Sequence, residues 1–156
     1  MAFIDARNLM NGAHNEFGAK MDFVEAVEKV AGDDLVRTYF FDSFDPDDKP
    51  NGWYHSLRMQ GFRVVDKPTR ERDTGMTSKG IDIGIATKMV GQAYRDSYDV
   101  AYLFTGDSDF ELAVREVQEA GKRVVVSQFD HTAASRLEAA ADEFVDLEEY
   151  GEELKK

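Results

Sequence analysis

The chain opens on a short apolar run, Ala2-Phe3-Ile4, that ends in Asp5 and reads as a first strand over residues 2–5. Polar residues follow, among them Asn8, Asn11, Gly12, His14 and Asn15, and are expected to form a loop. Over residues 22–31, Phe23, Val27 and Val30 are spaced for one helix face, and Gly32 with two aspartates stops the helix. Residues 35–41 (LVRTYFF) are rich in β-formers and predict a strand. Asp45-Pro46-Asp47 predicts a helix start, with the helix reaching Met59 and ending at Gly61. Residues 62–65 (FRVV) predict a third strand.

Residues 66–78 are polar, with one proline and one glycine, and are expected to form a long mobile loop. Loops of that length are uncommon in compact domains unless they serve a function. A helix is predicted over 79–94, where Ile81, Ile85, Met89 and Ala93 share a face. The run VAYLF at 100–104 predicts a buried strand, 109–120 a helix ended by Gly121, and 124–126 another strand. An alanine-rich helix over 132–141 and a short strand over 144–147 complete the pattern. Strand and helix alternate throughout, which predicts a three-layer α/β/α sandwich around a mainly parallel central sheet. With no repeat or linker, residues 1–150 form one domain, and 151–156 are expected to be a charged, frayed tail.

The 156 residues match the size of one domain, and 42% hydrophobic content suits a folded chain. There is no cysteine, so a metal must use oxygen or imidazole ligands. No signal sequence is read at the start, and apolar runs fall far short of a membrane span, so a cytoplasmic protein without membrane contact is expected. The net charge is −12, which argues against a polyanionic partner bound over the whole surface. The charge is uneven, however. From Arg58 to Lys79 six basic residues meet three acids, whereas 142–156 hold seven acids and two lysines. Asp42, Asp45, Asp47 and Asp48 form a further acidic patch, read as solvated surface.

Candidate chemistry lies where strands end. Ligands of open parallel sheets bind beyond the carboxyl ends of the strands, where the strand order reverses. Asp5 follows the first strand, and Asp107 and Asp109 follow the VAYLF strand after Thr105-Gly106. Asp82 opens the helix preceding that strand. If the two strands are neighbours, the carboxylates converge and repel one another, and a hard divalent cation removes that cost. Mg²⁺ or Mn²⁺ held in this way suits phosphodiester or phosphate hydrolysis, in which, with two ions about 4 Å apart, one activates water and the other stabilises the leaving oxygen. Each acid also has a plainer role open to it: Asp107 as a helix cap, Asp82 as a first-turn acid.

The stretches FIDARNL (3–9), KGIDIGIATKM (79–89), YLFTGDSDFELAVREVQEAGKRVVV (102–126) and SRLEAAADEFVDL (135–147) resemble the NYN domain, in its LabA-like branch, over nearly the whole chain. The resemblance implies a PIN-like fold and a Mg²⁺- or Mn²⁺-dependent ribonuclease site. By motif position its catalytic and metal-binding acids are Asp5, Asp82, Asp107 and Asp109, with Asn8, Thr105, Ser108 and Lys88 as accessory residues. Two positions depart from the family: Ala6 replaces a frequent glycine, and Lys88 replaces a frequent aspartate. Six residues past Asp82 lies about 240° around a helix, so Lys88 is expected at the rim.

The expected partner is single-stranded RNA, drawn in by Lys67, Arg70, Arg72 and Lys79, and a homo-oligomer stays open. The alternative is a non-catalytic regulatory or protein-binding module on the same fold. A phosphatase is disfavoured by Arg7, which stands where that chemistry places a second aspartate, and a dinucleotide site by the lack of a Gly-x-Gly-x-x-Gly segment. His14, His55 and His131 form no ligand motif, and Trp53 is read as a packing residue.

Overall fold

The computed structural model describes residues 1–18, 20–72, 75–77, 80–129 and 135–156. In chain order the elements are β1 (Ala2–Asp5), α1 (Ala6–Phe17), α2 (Phe23–Ala31), β2 (Thr38–Phe44), α3 (Asn51–Met59) and β3 (Phe62–Pro68). There follow β4 (Arg70–Arg72), β5 (Gly75–Thr77), α4 (Ile81–Tyr94), β6 (Val100–Phe104), a 3₁₀ turn (Ser108–Phe110) and α5 (Glu111–Glu119). β7 (Arg123–Gln128), α6 (Ser135–Ala140), β8 (Glu143–Asp146) and a 3₁₀ segment (Leu147–Leu154) complete the chain.

The central sheet runs β3-β2-β1-β6-β7-β8, with every pairing parallel. From β1 the order steps outward through β2 and β3; the chain then returns to β6 on the other side of β1. The strand order therefore reverses between β1 and β6, and Ile4 pairs with Phe104 there. Alternate residues along the strands feed two cores. Phe3, Tyr39, Phe41, Leu103, Val124 and Val126 pack with α4, α5 and α6. Ala2, Ile4, Phe40, Phe62 and Phe104 pack with α1, α2 and the C-terminal 3₁₀ segment. This is the three-layer α/β/α arrangement with helices on both faces. Trp53 packs against Phe23 and Phe40, as a core residue does.

Several elements depart from the sequence pattern for identifiable reasons. The stretch after Asp5 is a helix, not a loop. Asn11, His14 and Asn15 are exposed while Ala6, Leu9, Gly12 and Ala13 form its buried stripe. Asp5 caps its start by accepting from the Asn8 amide, and Gly18 ends it in a left-handed conformation at φ 62°. β2 runs three residues beyond the expected strand because Asp42 and Ser43 are buried and find polar partners. Asp42 therefore does not belong to a solvated patch. Asp45-Pro46-Asp47 makes a turn, with Asp45 Oδ1 accepting from the Asp47 amide at 3.0 Å, and the helix begins later at Asn51. The expected loop over 66–78 is largely strand: β3 continues to Pro68, and Arg70–Arg72 pairs antiparallel with Gly75–Thr77.

Of the helix expected over 132–141, residues 132–134 lie outside the described residues; the remainder is α6. The C-terminal residues are docked rather than frayed. Leu154 is fully buried, its carbonyl accepts from Asp22 N at 2.8 Å, and Lys156 N donates to Lys20 O. One leucine among the charges suffices to anchor them. No helix among the described residues is long and apolar enough to cross a membrane.

Candidate functional site at the carboxyl edge of β1 and β6

β1 ends at Asp5 and β6 ends one residue before Thr105, so the two side chains meet at the reversal of strand order. Thr105 Oγ1 donates to Asp5 Oδ2 at 3.2 Å, and the Asn8 amide donates to Asp5 Oδ1 at 3.1 Å. Asp5 is only 5% exposed. Burial above all, helped by the negative charges of Asp82 and Asp107 and opposed by its two hydrogen bonds, pushes its carboxyl up to about 6. Asp82, in the first turn of α4, is likewise raised, first by burial and then by Asp107 and Asp109. The four predicted acids thus act on one another across three elements that are distant in sequence.

Asp107 also serves as a cap: its Oδ1 accepts from the Asp109 amide at 2.9 Å, starting the 3₁₀ turn. Asp109 is exposed, whereas Asp107, Ser108 and Asp82 are half-buried. None of the four acids forms an ion pair with a described lysine, arginine or histidine. Among the described residues, no group of three or more histidines or acids stands so as to hold an ion.

The accessory residues divide. Asn8 Oδ1 accepts from Gly106 N at 2.9 Å and from Gln128 Nε2 at 2.6 Å, so it ties α1 to the loop after β6 and to the end of β7. Gln128 is fully buried, and its own Oε1 accepts from Phe129 N. It is absent from the predicted set because a glutamine ending a β7 run of valines carries no spacing signal. Thr105 Oγ1 additionally accepts from the Asp107 amide at 3.3 Å. Ser108 makes no side-chain hydrogen bond to the four acids. Lys88 does not reach them either; its ammonium lies 5.4 Å from the centroid of the Tyr39 ring, which places it against the sheet below the edge rather than at the rim.

Of the basic residues expected to meet RNA, Lys67 sits at the carboxyl end of β3 and donates to Gly80 O at 3.0 Å, one residue before α4. Arg70 and Arg72 lie on β4, but their side chains are outside the described residues, as is Lys79 altogether. Arg58 pairs with Asp66 at 3.1 Å, and Arg63 opens β3 beside Phe62, at the opposite edge of the sheet. The two described histidines, His14 and His55, are exposed; His131 lies outside the described residues.

The model of the NYN domain matches residues 1–148, nearly the whole of this arrangement. The chain belongs to the NYN domain family. The low amplitude and bright protein LabA of Synechococcus elongatus is 28% identical over 130 residues, covering 79% of this chain and 68% of that protein. Among solved structures, a protein of unknown function from Vibrio parahaemolyticus superposes with a TM-score of 0.83 at 24% identity, covering 99% of this chain and 94% of that one. NYN domains are PIN-like domains of nuclease type, and the all-parallel sheet seen here is of that kind.

Proposed function

We propose that this NYN domain is a metal-dependent ribonuclease, hydrolysing phosphodiester bonds of single-stranded RNA at Asp5, Asp82, Asp107 and Asp109. The observation that supports this most is the electrostatic state of the four acids. A buried carboxyl raised to about 6 by burial and by two like charges, with no cationic partner among the described residues, is costly to the fold and suited to a hard cation. Carboxylate oxygens without sulfur or imidazole select Mg²⁺ or Mn²⁺. Such an ion, when bound, supplies an activated water and stabilisation of the leaving oxygen.

The chain's own residues then have separable roles. Asp5 and Asp107 would hold the ion at the end of the sheet, with Asp82 and Asp109 closing toward it from α4 and the 3₁₀ turn. Thr105 and the Asn8 amide orient Asp5 through the bonds already described. Asn8 and Gln128 fix the loop that carries Asp107. Lys67 and the β4–β5 hairpin stand at the same edge and would meet the RNA backbone. The relevant assay is turnover of a labelled single-stranded RNA with Mn²⁺. Wild type should cut it, and Asp107→Asn and Asp82→Asn should each lower the rate by at least about 100-fold. Equal, trace turnover by all three proteins would overturn the reading.

That no three of these acids stand together as an ion's ligands among the described residues favours a second reading, a binding module that keeps the fold without turnover. RNA binding with no Mn²⁺-dependent cleavage would select it.

A further inference from the structure

Arg7 lies in the first turn of α1, two residues after Asp5. Where Asn8 turns toward β6 and β7, Arg7 turns the other way, toward the end of β2. Its Nε donates to Ser43 O at 3.0 Å, and its Nη2 donates to the same carbonyl. Asp42 Oδ1 stands 3.2 Å from Nε. Because the Nε hydrogen is directed at Ser43, that oxygen is held by charge rather than by an aligned hydrogen bond. Asp42 is only 2% exposed and is gripped from behind by Tyr54 Oη, which donates to its Oδ2 at 2.8 Å.

The guanidinium is thus anchored along one edge by a buried carboxylate and a main-chain carbonyl. Its side chain nonetheless stays 53% exposed, at the same carboxyl edge as the four acids. An arginine has five donors in a planar fork, and the contacts to Ser43 use only two of them. The Nη1 donors and the second Nη2 donor make no hydrogen bond among the described residues, and the contacts to Ser43 set their plane in advance. A fixed fork of that kind matches a phosphate in two-point fashion and loses little freedom on binding. Lys49 and Arg58 both pair with Asp66, and Lys67, across from Ser43 on β3, donates to Gly80 O.

We propose that Arg7, held by Asp42, Ser43 and Tyr54, is a phosphate-binding residue that grips the RNA backbone on the β2 side of the acid site. This rests on the RNA-cleaving reading above. β1 and β2 are neighbours about 4.8 Å apart. Arg7 therefore engages a phosphate adjoining the scissile one rather than the scissile phosphate itself. Asp42 and Tyr54 are positioning residues that act through Arg7.

The test is binding of a fluorescein-labelled single-stranded RNA to the full chain in Ca²⁺, followed by anisotropy across a salt series. Arg7→Ala alone would leave Asp42 buried without its cation, so the informative variant is the charge-matched double substitution Arg7→Ala/Asp42→Asn. It keeps the net charge of the wild type and removes the stranded carboxylate. The expected result is a melting temperature near wild type, about tenfold weaker RNA binding, and a salt slope shallower by about 0.7. Arg7→Gln/Asp42→Asn, which keeps a donor for Ser43 O and likewise strands no carboxylate, should show the same loss. Wild-type affinity and slope in either variant, when folded, would establish that Arg7 merely neutralises Asp42 and would overturn the proposal. No RNA binding by the wild type itself would overturn both this proposal and the ribonuclease reading. A loss confined to the variants, with Mn²⁺-induced stabilisation intact, separates the two.

Discussion

At the scale of single residues, Asp5 concentrates the tension in the site. Its carboxyl titrates at about 6 in the fold, against an ordinary 3.8. A carboxyl raised on folding destabilises only its ionised form. The metal-free protein should therefore lose stability as pH rises from about 4 to about 6 through this group, with the loss complete above that, on the order of 3 kcal/mol. Asp5→Asn should accordingly raise the melting temperature in EDTA at pH 7.5 by up to about 6–12 °C, since about 1 kcal/mol is worth roughly 2–4 °C at this size. A fall in melting temperature would show that the carboxylate is favourable in the metal-free fold. The same titration makes protons compete with metal. Stabilisation by Mn²⁺ should then be larger at pH 7.5 than at pH 5, a difference that calorimetric scans would register. Lys88 has the opposite character: with its ammonium over Tyr39, Lys88→Met should leave Mn²⁺-induced stabilisation as in wild type. A changed Mn²⁺ affinity on titration would bring that lysine into the site.

At the scale of elements, the site depends on how α1 is fastened to β6 and β7. Asn8 receives one bond from each side of that junction. Gln128→Met keeps the volume but removes a donor, so it should cost about 1 kcal/mol of stability in denaturant unfolding and lower Mn²⁺-dependent turnover. Unchanged turnover would mean that Asn8 holds the loop without Gln128.

The elements also show what could be read from the sequence. Strands β1 and β6 were legible because each is a continuous apolar run, and with them the placement of Asp5 and Asp107 at one edge of the sheet. Helix α1 was not, because its buried stripe uses Ala6, Gly12 and Ala13, which carry little hydrophobic signal. The extension of β2 was hidden for a related reason: Asp42 looks like surface until Tyr54 and Arg7 are seen around it. The long polar stretch after β3 concealed a hairpin, since strands of three residues leave no period to count. Gln128 and Arg7 acquire meaning only through partners 120 and 36 positions away.

At the scale of the whole molecule, the proposed ribonuclease reading must reconcile a net charge of −12 with a polyanionic substrate. Non-specific affinity for nucleic acid comes from neutralised phosphates. Here it has to be local: the bound cation at the acids, Lys67 and the β4–β5 hairpin beyond β3, and Arg7 beside β2. Replacing Lys67, Arg70 and Arg72 together by alanine should weaken RNA binding and flatten its salt dependence while Mn²⁺-induced stabilisation persists. An RNA affinity and salt slope like wild type would leave those side chains as mere solubilisers of the hairpin. All of these expectations rest on one claim, that four acids from three parts of the chain form a single metal centre at the reversal of strand order. A crystal of the wild-type chain soaked in Mn²⁺ and measured at the manganese edge tests it most directly. The account predicts an anomalous peak between Asp5 and Asp107, with Asp82 and Asp109 drawn in from their metal-free separation. Clear density for the four side chains with no anomalous peak among them would contradict it.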